Sequence, residues 1–177
     1  MGKIFESQML ESALKRIAEG DNSYLGYIYE NYARLLFSVA VTLLGNAAEA
    51  EDAVHDTFLR LSEKADKYTP RENGSAKAWL VRICRNICID RLRTSKNSTA
   101  EITSAVDDFV KSVHSDIAFL EMISPLTSPD REIVILKIAF SMSHKEIALA
   151  LNLTVDNTRQ RYKRAIDKLK TTVKEGE

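Results

Sequence analysis

The sequence predicts an all-α protein, two small helical bundles joined by a flexible linker, with the second bundle a helix-turn-helix. Three observations carry the prediction. Glycine and proline are scarce, 6 and 3 in 177 residues, while apolar residues recur at helical spacing and strand-like alternation is almost absent. From Thr94 to Ser104 six of eleven residues are Ser or Thr with no apolar repeat, so the chain divides there. Beyond the break, a short turn joins two helices of which the second is strongly basic. The expected units are residues 1–94, a linker at 95–114, and residues 115–177.

In the first unit, Phe5 to Glu19 reads as a helix stopped at Gly20-Asp21, where glycine can take the left-handed conformation of a C-cap. Asn22 or Ser23 then caps a long helix from Tyr24 to Leu44, whose Leu25, Ile28, Tyr29, Tyr32, Leu36, Val39 and Leu43 form an apolar stripe. Gly45-Asn46 ends it. The helix from Ala47 to about Lys64 buries Ala50, Ala53, Val54, Phe58 and Leu61 and turns Glu49, Glu51, Asp52, His55, Asp56 and Arg60 outward. Its acids gather in the first turns, beside the positive end of the helix dipole. A loop from Asp66 to Ala76 follows, with Tyr68, Pro70, Arg71 and Gly74, and then a helix from Trp79 to Arg93. Trp79, Leu80, Ile83, Cys84 and Ile87 share one arc of that helix, and Arg82, Arg85, Asn86 and Arg93 the other.

In the second unit, Asp116 to Ile123 is a short helix ending before Ser124-Pro125. Ser128 caps the next, with Pro129 at its first position and Asp130 in its first turn, running through Ile133, Val134, Leu136 and Ile138 to about Phe140. Ser143-x-x-Glu146 is a capping box for His144 to Leu151. Thr154 caps a final helix from Val155 to about Val173, which carries Arg159, Arg161, Lys163, Arg164, Lys168 and Lys170.

The net charge is zero, with 25 Lys/Arg and 25 Asp/Glu, but the charges are blocked. Residues 1–70 carry 7 basic against 11 acidic groups (net −4), 71–95 carry 6 against 2 (+4), 96–130 carry 2 against 6 (−4), and 131–177 carry 10 against 6 (+4). Two basic blocks suit a polyanion, and the acidic ones suit a different partner. Blocks of opposite sign would also draw the two units together. No apolar run is long enough for a membrane span or a signal peptide, so no membrane insertion and a cytoplasmic protein are expected. Cys84 and Cys88 stand one helical turn apart without a second Cys or His pair, which points to buried structural thiols.

The final helix has the composition of a recognition helix. Arg159, Gln160, Lys163 and Arg164 would face a major groove, where Arg and Gln pair with guanine and adenine edges, and Arg161 adds to the basic set. The Trp79 helix is a second basic site. Its Arg82, Arg85, Asn86 and Arg93, with Lys77 ahead of them beside a loop, suit a single strand better than a closed duplex. Asp90 is expected to be a structural partner of Arg91 or Arg93. The acidic face of Glu49, Glu51, Asp52, His55 and Asp56 is either solvated surface or a dock for a basic protein. Metal catalysis draws converging carboxylates from more than one element, and no second acid pair stands out, so no metal, cofactor or catalytic residue is assigned.

Three motifs in register, AEDAVHDTFLRL (Ala50 to Leu61), WLVRICRNICIDRLR (Trp79 to Arg93) and SPDREIVILKIAFSMSHKEIALALNLTVDNTRQRYKRAIDKLK, resemble the extracytoplasmic-function group of bacterial sigma factors. The resemblance runs from about Gly20 to Lys170. It implies a promoter-recognition subunit without catalytic activity, whose first domain melts and reads the minus-ten element and whose second reads the minus-thirty-five element. It also implies the partners: core RNA polymerase through its clamp coiled coil and flap, promoter DNA both duplex and single-stranded, and an anti-sigma factor. Glu51, Asp52, His55 and Asp56 correspond to the segment that docks on the clamp coiled coil. Asn86 corresponds to a base-reading residue with Arg82 beside it, and Arg159, Gln160, Lys163 and Arg164 correspond to minus-thirty-five contacts. His55 stands where the family usually has Gln, and Asp156-Asn157-Thr158 replaces the common Gly-Thr-Val. The competing reading is a helix-turn-helix regulator that works without polymerase, which would need neither the acidic helix nor a second basic site.

Overall fold

The protein is described from a computed structural model covering residues 2–70, 75–95 and 122–175 together with Phe119. The expected linker apart from Ser95, which ends a helix, together with Arg71, Gly74 and most of the expected helix from Asp116 to Ile123, lies outside these residues. Seven α-helices and one 3-10 turn make up the described architecture, with no strand among the described residues. They are α1 (Gly2–Ala18), α2 (Tyr24–Leu44), α3 (Ala47–Lys64), the turn Ala65–Lys67, α4 (Ala76–Ser95), α5 (Ser128–Ile138), α6 (His144–Leu151) and α7 (Val155–Glu175).

Helix boundaries follow local chemistry. Gly20 at φ +96° lets Asp21 N–H reach back to the Arg16 carbonyl at 2.9 Å, which closes α1. Ser23 holds the N-cap position of α2 in a helical conformation (φ −60°, ψ −26°) and forms no cap bond; its amide and hydroxyl both donate to Asp21 Oδ1, at 3.1 and 2.5 Å. Gly45, at φ +70°, closes α2, and Asn46 Oδ1 accepts from Glu49 N–H at 3.0 Å to open α3. The N-cap of α5 is Thr127, one residue before the expected Ser128, and its hydroxyl donates to Asp130 Oδ2 at 3.0 Å. Around α6 the capping box is complete: Glu146 N–H donates to Ser143 Oγ (3.2 Å) and Ser143 N–H to Glu146 Oε2 (2.8 Å). Asn152 then takes the left-handed conformation and Thr154 Oγ1 accepts from Asn157 N–H at 3.1 Å, so a three-residue turn launches α7.

One apolar core begins in the N-terminal bundle with Leu10, Leu14 and Ile17 of α1, Ile28, Leu35 and Leu36 of α2, Ala53 and Leu61 of α3, and Leu80, Cys84 and Cys88 of α4. It does not stop at the unit boundary. Ile133 and Leu136 of α5, Met142, and Ile147, Ala150 and Leu151 of α6 belong to the same core. Val134 and Ile135, on the other side of α5, pack with Ile123, Leu126, Ala165 and Leu169 in a second cluster. Residues 132–136 of α5 are therefore buried all round, which marks an interior helix rather than a surface one. The two units are joined by packing, α5 against α2 and α6 against α4.

Candidate nucleic-acid interface

The α4 helix is fixed by the face that carries no charge. Leu80, Val81, Cys84, Ile87 and Cys88 are buried, while Trp79 and Ile83 are half-buried at the edges of that face. Cys84 and Cys88 are free thiols, the first donating to the Leu36 carbonyl at 3.5 Å, and the neighbouring Cys84 sulfur together with burial pushes the Cys88 thiol up. The far side of the helix presents Arg82, Asn86 and Arg93 to solvent. Arg93 lies 3.7 Å from Asp90, an exposed i,i+3 pair. Tyr68 is not open to a base: its ring is tilted against Trp79 at 5.4 Å between centroids, and its hydroxyl donates to Glu11 Oε1 at 3.2 Å. Burial and the Glu11 charge push its phenol up from the ordinary value.

Lys77 and Arg85 stand apart from that exposed row. Arg85 is half-buried and its Nε donates to both carboxylate oxygens of Glu132 on α5, at 3.1 and 3.5 Å. Glu132 is 2% exposed, and burial pushes its carboxyl up to about 7 against the opposing pull of Arg85. Lys77 Nζ lies 5.7 Å from the Tyr32 ring centroid and lines a cavity between the units with Tyr32, Phe140, Met142 and Glu146. Glu146 feels both the Lys77 charge and a hydrogen bond from Ser75 at the start of α4.

On α7, Ala165 and Leu169 face inward, and Arg159, Gln160, Lys163 and Arg164 are exposed together. Arg161 points elsewhere: its Nε donates to Asp130 Oδ1 at 2.9 Å, tying α7 to the start of α5. Thr158, which stands at the Val of the common Gly-Thr-Val, is fully buried, and its hydroxyl is satisfied by the Thr154 carbonyl at 3.0 Å. Asp156 brings a carboxylate 3.4 Å from Arg159 Nη1.

The acidic face of α3 exposes Glu51, Asp52 and His55 and half-buries Asp56. Arg91 of α4 reaches across to it, with Nη2 donating to Asp56 Oδ2 at 2.6 Å and Nη1 3.9 Å from Asp52 Oδ2. Asp56 and Arg91 border an open groove of about 690 Å³ between α3 and α4, lined also by Glu49, Leu59, Glu63 and Asp90 among others. Tyr29 and Phe58 pack ring to ring at 5.0 Å nearby. Among the described residues no group of three or more His, Cys, Asp or Glu is arranged to hold a metal ion.

This layout coincides with known sequence families. Residues 28–98 match Sigma-70 region 2 and residues 116–169 match Sigma-70, region 4. The chain is 25% identical to the ECF RNA polymerase sigma factor SigW of Bacillus subtilis (strain 168), over 94% of this chain and 98% of that protein. The chain belongs to the extracytoplasmic-function group of bacterial sigma factors. As a sigma factor it binds core RNA polymerase and directs promoter-specific initiation of transcription. The fold agrees. CnrH, solved in complex with the cytosolic domain of CnrY, superposes with a TM-score of 0.71 at 21% identity, covering 96% of this chain and 99% of CnrH. The sigma factor RpoE of Bartonella quintana, solved with the anti-sigma factor NepR, gives 0.62 at 22% identity, covering 82% and 94%.

Two acids that meet α4 escape a reading by periodicity. Glu132 and Glu146 come from the second unit, yet one binds Arg85 and the other lies near Lys77. A single acid opening the fully apolar run Ile133 to Leu136 is the only signal for Glu132, and it does not name the partner.

Proposed function

We propose that the sigma factor holds the opened minus-ten strand on α4 and the minus-thirty-five duplex on α7, and docks on the polymerase clamp coiled coil through Glu51, Asp52, His55 and Asp56 of α3. The observation that carries this reading is the shared solvent side of Arg82, Asn86 and Arg93 on a helix whose opposite side is locked into the core. Cations there neutralise phosphate, and the Asn86 amide can donate to and accept from an unpaired base edge. Lys77 and Arg85 extend this set once freed from the second unit. On α7, Arg159, Gln160, Lys163 and Arg164 read base edges and phosphates, and Arg161 sets the angle of the helix through Asp130. The flap of the polymerase receives the second unit.

Control by an anti-sigma factor fits the likeness to RpoE, which is bound to NepR in its structure. No step in this function needs catalysis or a cofactor from the chain itself. No described helix is long and apolar enough to cross a membrane, which accords with a cytoplasmic protein that joins the nucleoid with polymerase.

Transcription by core polymerase plus this protein on a genomic promoter library tests the assignment. Asn86→Ala is expected to relax preference at the minus-ten element and Arg159→Ala to weaken minus-thirty-five recognition, each by about 1–3 kcal/mol for a lost base contact. An Asn86→Ala profile identical to the wild type removes that residue from the interface. Tight duplex binding with no polymerase complex would leave a polymerase-independent regulator instead.

A further inference from the structure

The exposed stripe of α7 carries one residue that a polyanion would not select. Asp156, Arg159, Gln160 and Lys163 fall at i, i+3, i+4 and i+7 and are all exposed, so one side of the helix presents them together. Asp156 is the acid of the first turn, and its side chain is 84% exposed. The helix dipole favours a carboxylate there, but Thr154 Oγ1 already takes the Asn157 amide as the cap, and an acid beside phosphates weakens binding to DNA of any sequence. Its partner is Arg159, whose Nη1 donates to Asp156 Oδ1 at 3.4 Å. Exposed pairs of this kind contribute little to stability, so the contact matters for where the guanidinium points. Arg159 Nε and Nη2 and Asp156 Oδ2 make no hydrogen bond among the described residues.

We propose that Asp156 is a specificity-determining residue of the minus-thirty-five interface: it steadies Arg159 toward a guanine and accepts from the N4 amino group of a cytosine in the neighbouring base pair. This rests on the assignment of α7 to the minus-thirty-five duplex. The Nε and Nη2 edge of Arg159 is a two-donor fork that fits guanine O6 and N7. A carboxylate only accepts, and in the major groove only cytosine N4 and adenine N6 donate. Adenine sets its N7 acceptor beside N6, where it repels the carboxylate, so cytosine is the matched base. Guanine and thymine offer no donor at all. Three residues of helix rise about 4.5 Å, and successive base pairs lie about 3.4 Å apart, so Asp156 and Arg159 meet adjacent pairs. The acid lowers affinity for every sequence and lowers it further for the wrong ones, which is discrimination by an unpaired charge.

The test is transcription by core polymerase plus this protein from a promoter library randomised through the minus-thirty-five element, comparing wild type with Asp156→Ala, Asp156→Asn and Arg159→Ala. Wild type is expected to select two adjacent G·C pairs. Asp156→Ala should relax one of them by about tenfold, a typical penalty for one wrong base pair, and Arg159→Ala should relax the other, with the remaining positions unchanged. Asp156→Asn should move its pair from G·C to A·T, because an amide both donates and accepts and so matches adenine N6 and N7. The exposed position and the Thr154 cap leave α7 intact in the Asp156 variants, which helical circular dichroism checks. Should they fail to fold, the wild-type element decides: adjacent G·C pairs support the proposal and their absence overturns it. An unchanged profile in Asp156→Ala, or a uniform change in transcript level with every base preference kept, also overturns it. Arg159→Ala and Gln160→Ala separate the failures. If they shift the minus-thirty-five profile while the Asp156 variants do not, only the role of Asp156 falls; if no variant on α7 shifts it, the assignment of α7 falls as well.

Discussion

Glu132 brings burial, an ion pair and a titration together in one side chain. It is nearly inaccessible, it bonds Arg85, and its charge is also felt by the thiols of Cys84 and Cys88. Burial raises its carboxyl from the ordinary 4.5 to about 7, with the Arg85 charge and hydrogen bond pulling the other way. The sign of the linkage follows. A carboxyl whose packed-state value is raised supports packing fully below about pH 4.5 and loses that support as pH rises through about 7. The span corresponds to about 3 kcal/mol between the two limits. Thermal melts of wild type are therefore expected to lose stability between pH 5 and 8 relative to Glu132→Gln, which cannot titrate. His144, held below its ordinary value first by burial and then by Lys137 and Arg159, contributes with the opposite sign and remains in both proteins. Equal pH slopes in the two proteins would show that Glu132 is not the titrating group.

Elements divide into those with local causes and those without. The α6–α7 pair was legible in the sequence because its determinants lie within three residues of one another: the Ser143–Glu146 box, Asn152 in the turn, and Thr154 at the start of α7. Ser143→Ala should accordingly cost about 1 kcal/mol in a denaturant melt. On the proposed assignment of α7 to the minus-thirty-five duplex and α4 to the minus-ten strand, a capping loss confined to α6 should also reduce minus-thirty-five binding without moving the minus-ten profile. The basic face of α7 and the acidic face of α3 were likewise visible as helical arcs. Their fine structure was not. Arg161 shares the spacing of its neighbours but is taken by Asp130, and Asp52 and Asp56 are bridged by Arg91 from 35 or more residues away. Periodicity assigns a side chain to a face, but pairing depends on which helix arrives there. A double-mutant cycle on Arg91→Ala and Asp56→Ala should give a coupling near 1 kcal/mol, reduced by partial exposure of both groups. A coupling near zero would mean that the bridge contributes nothing to stability.

At the scale of the whole molecule, the charge blocks suggest a different cause for closure from the one the structure displays. Opposite blocks of −4 and +4 would attract at long range. The residues that actually meet include α4 from one +4 block and α5 and α6 from the other, joined by a continuous apolar core and the buried Arg85–Glu132 pair. Burial of apolar surface is insensitive to ionic strength at this level, and a pair with one member 2% exposed is weakly screened. Raising salt from about 0.01 M to about 1 M shortens the Debye length from about 30 to about 3 Å. A closure driven by the blocks would open across that range. One driven by the core should stay shut, and screening the repulsion between the two +4 blocks should tighten it slightly. The radius of gyration of the isolated wild type is expected to hold steady or fall as salt rises. A radius that grows with salt would return the cause of closure to long-range charge and reduce the apolar contact to a consequence.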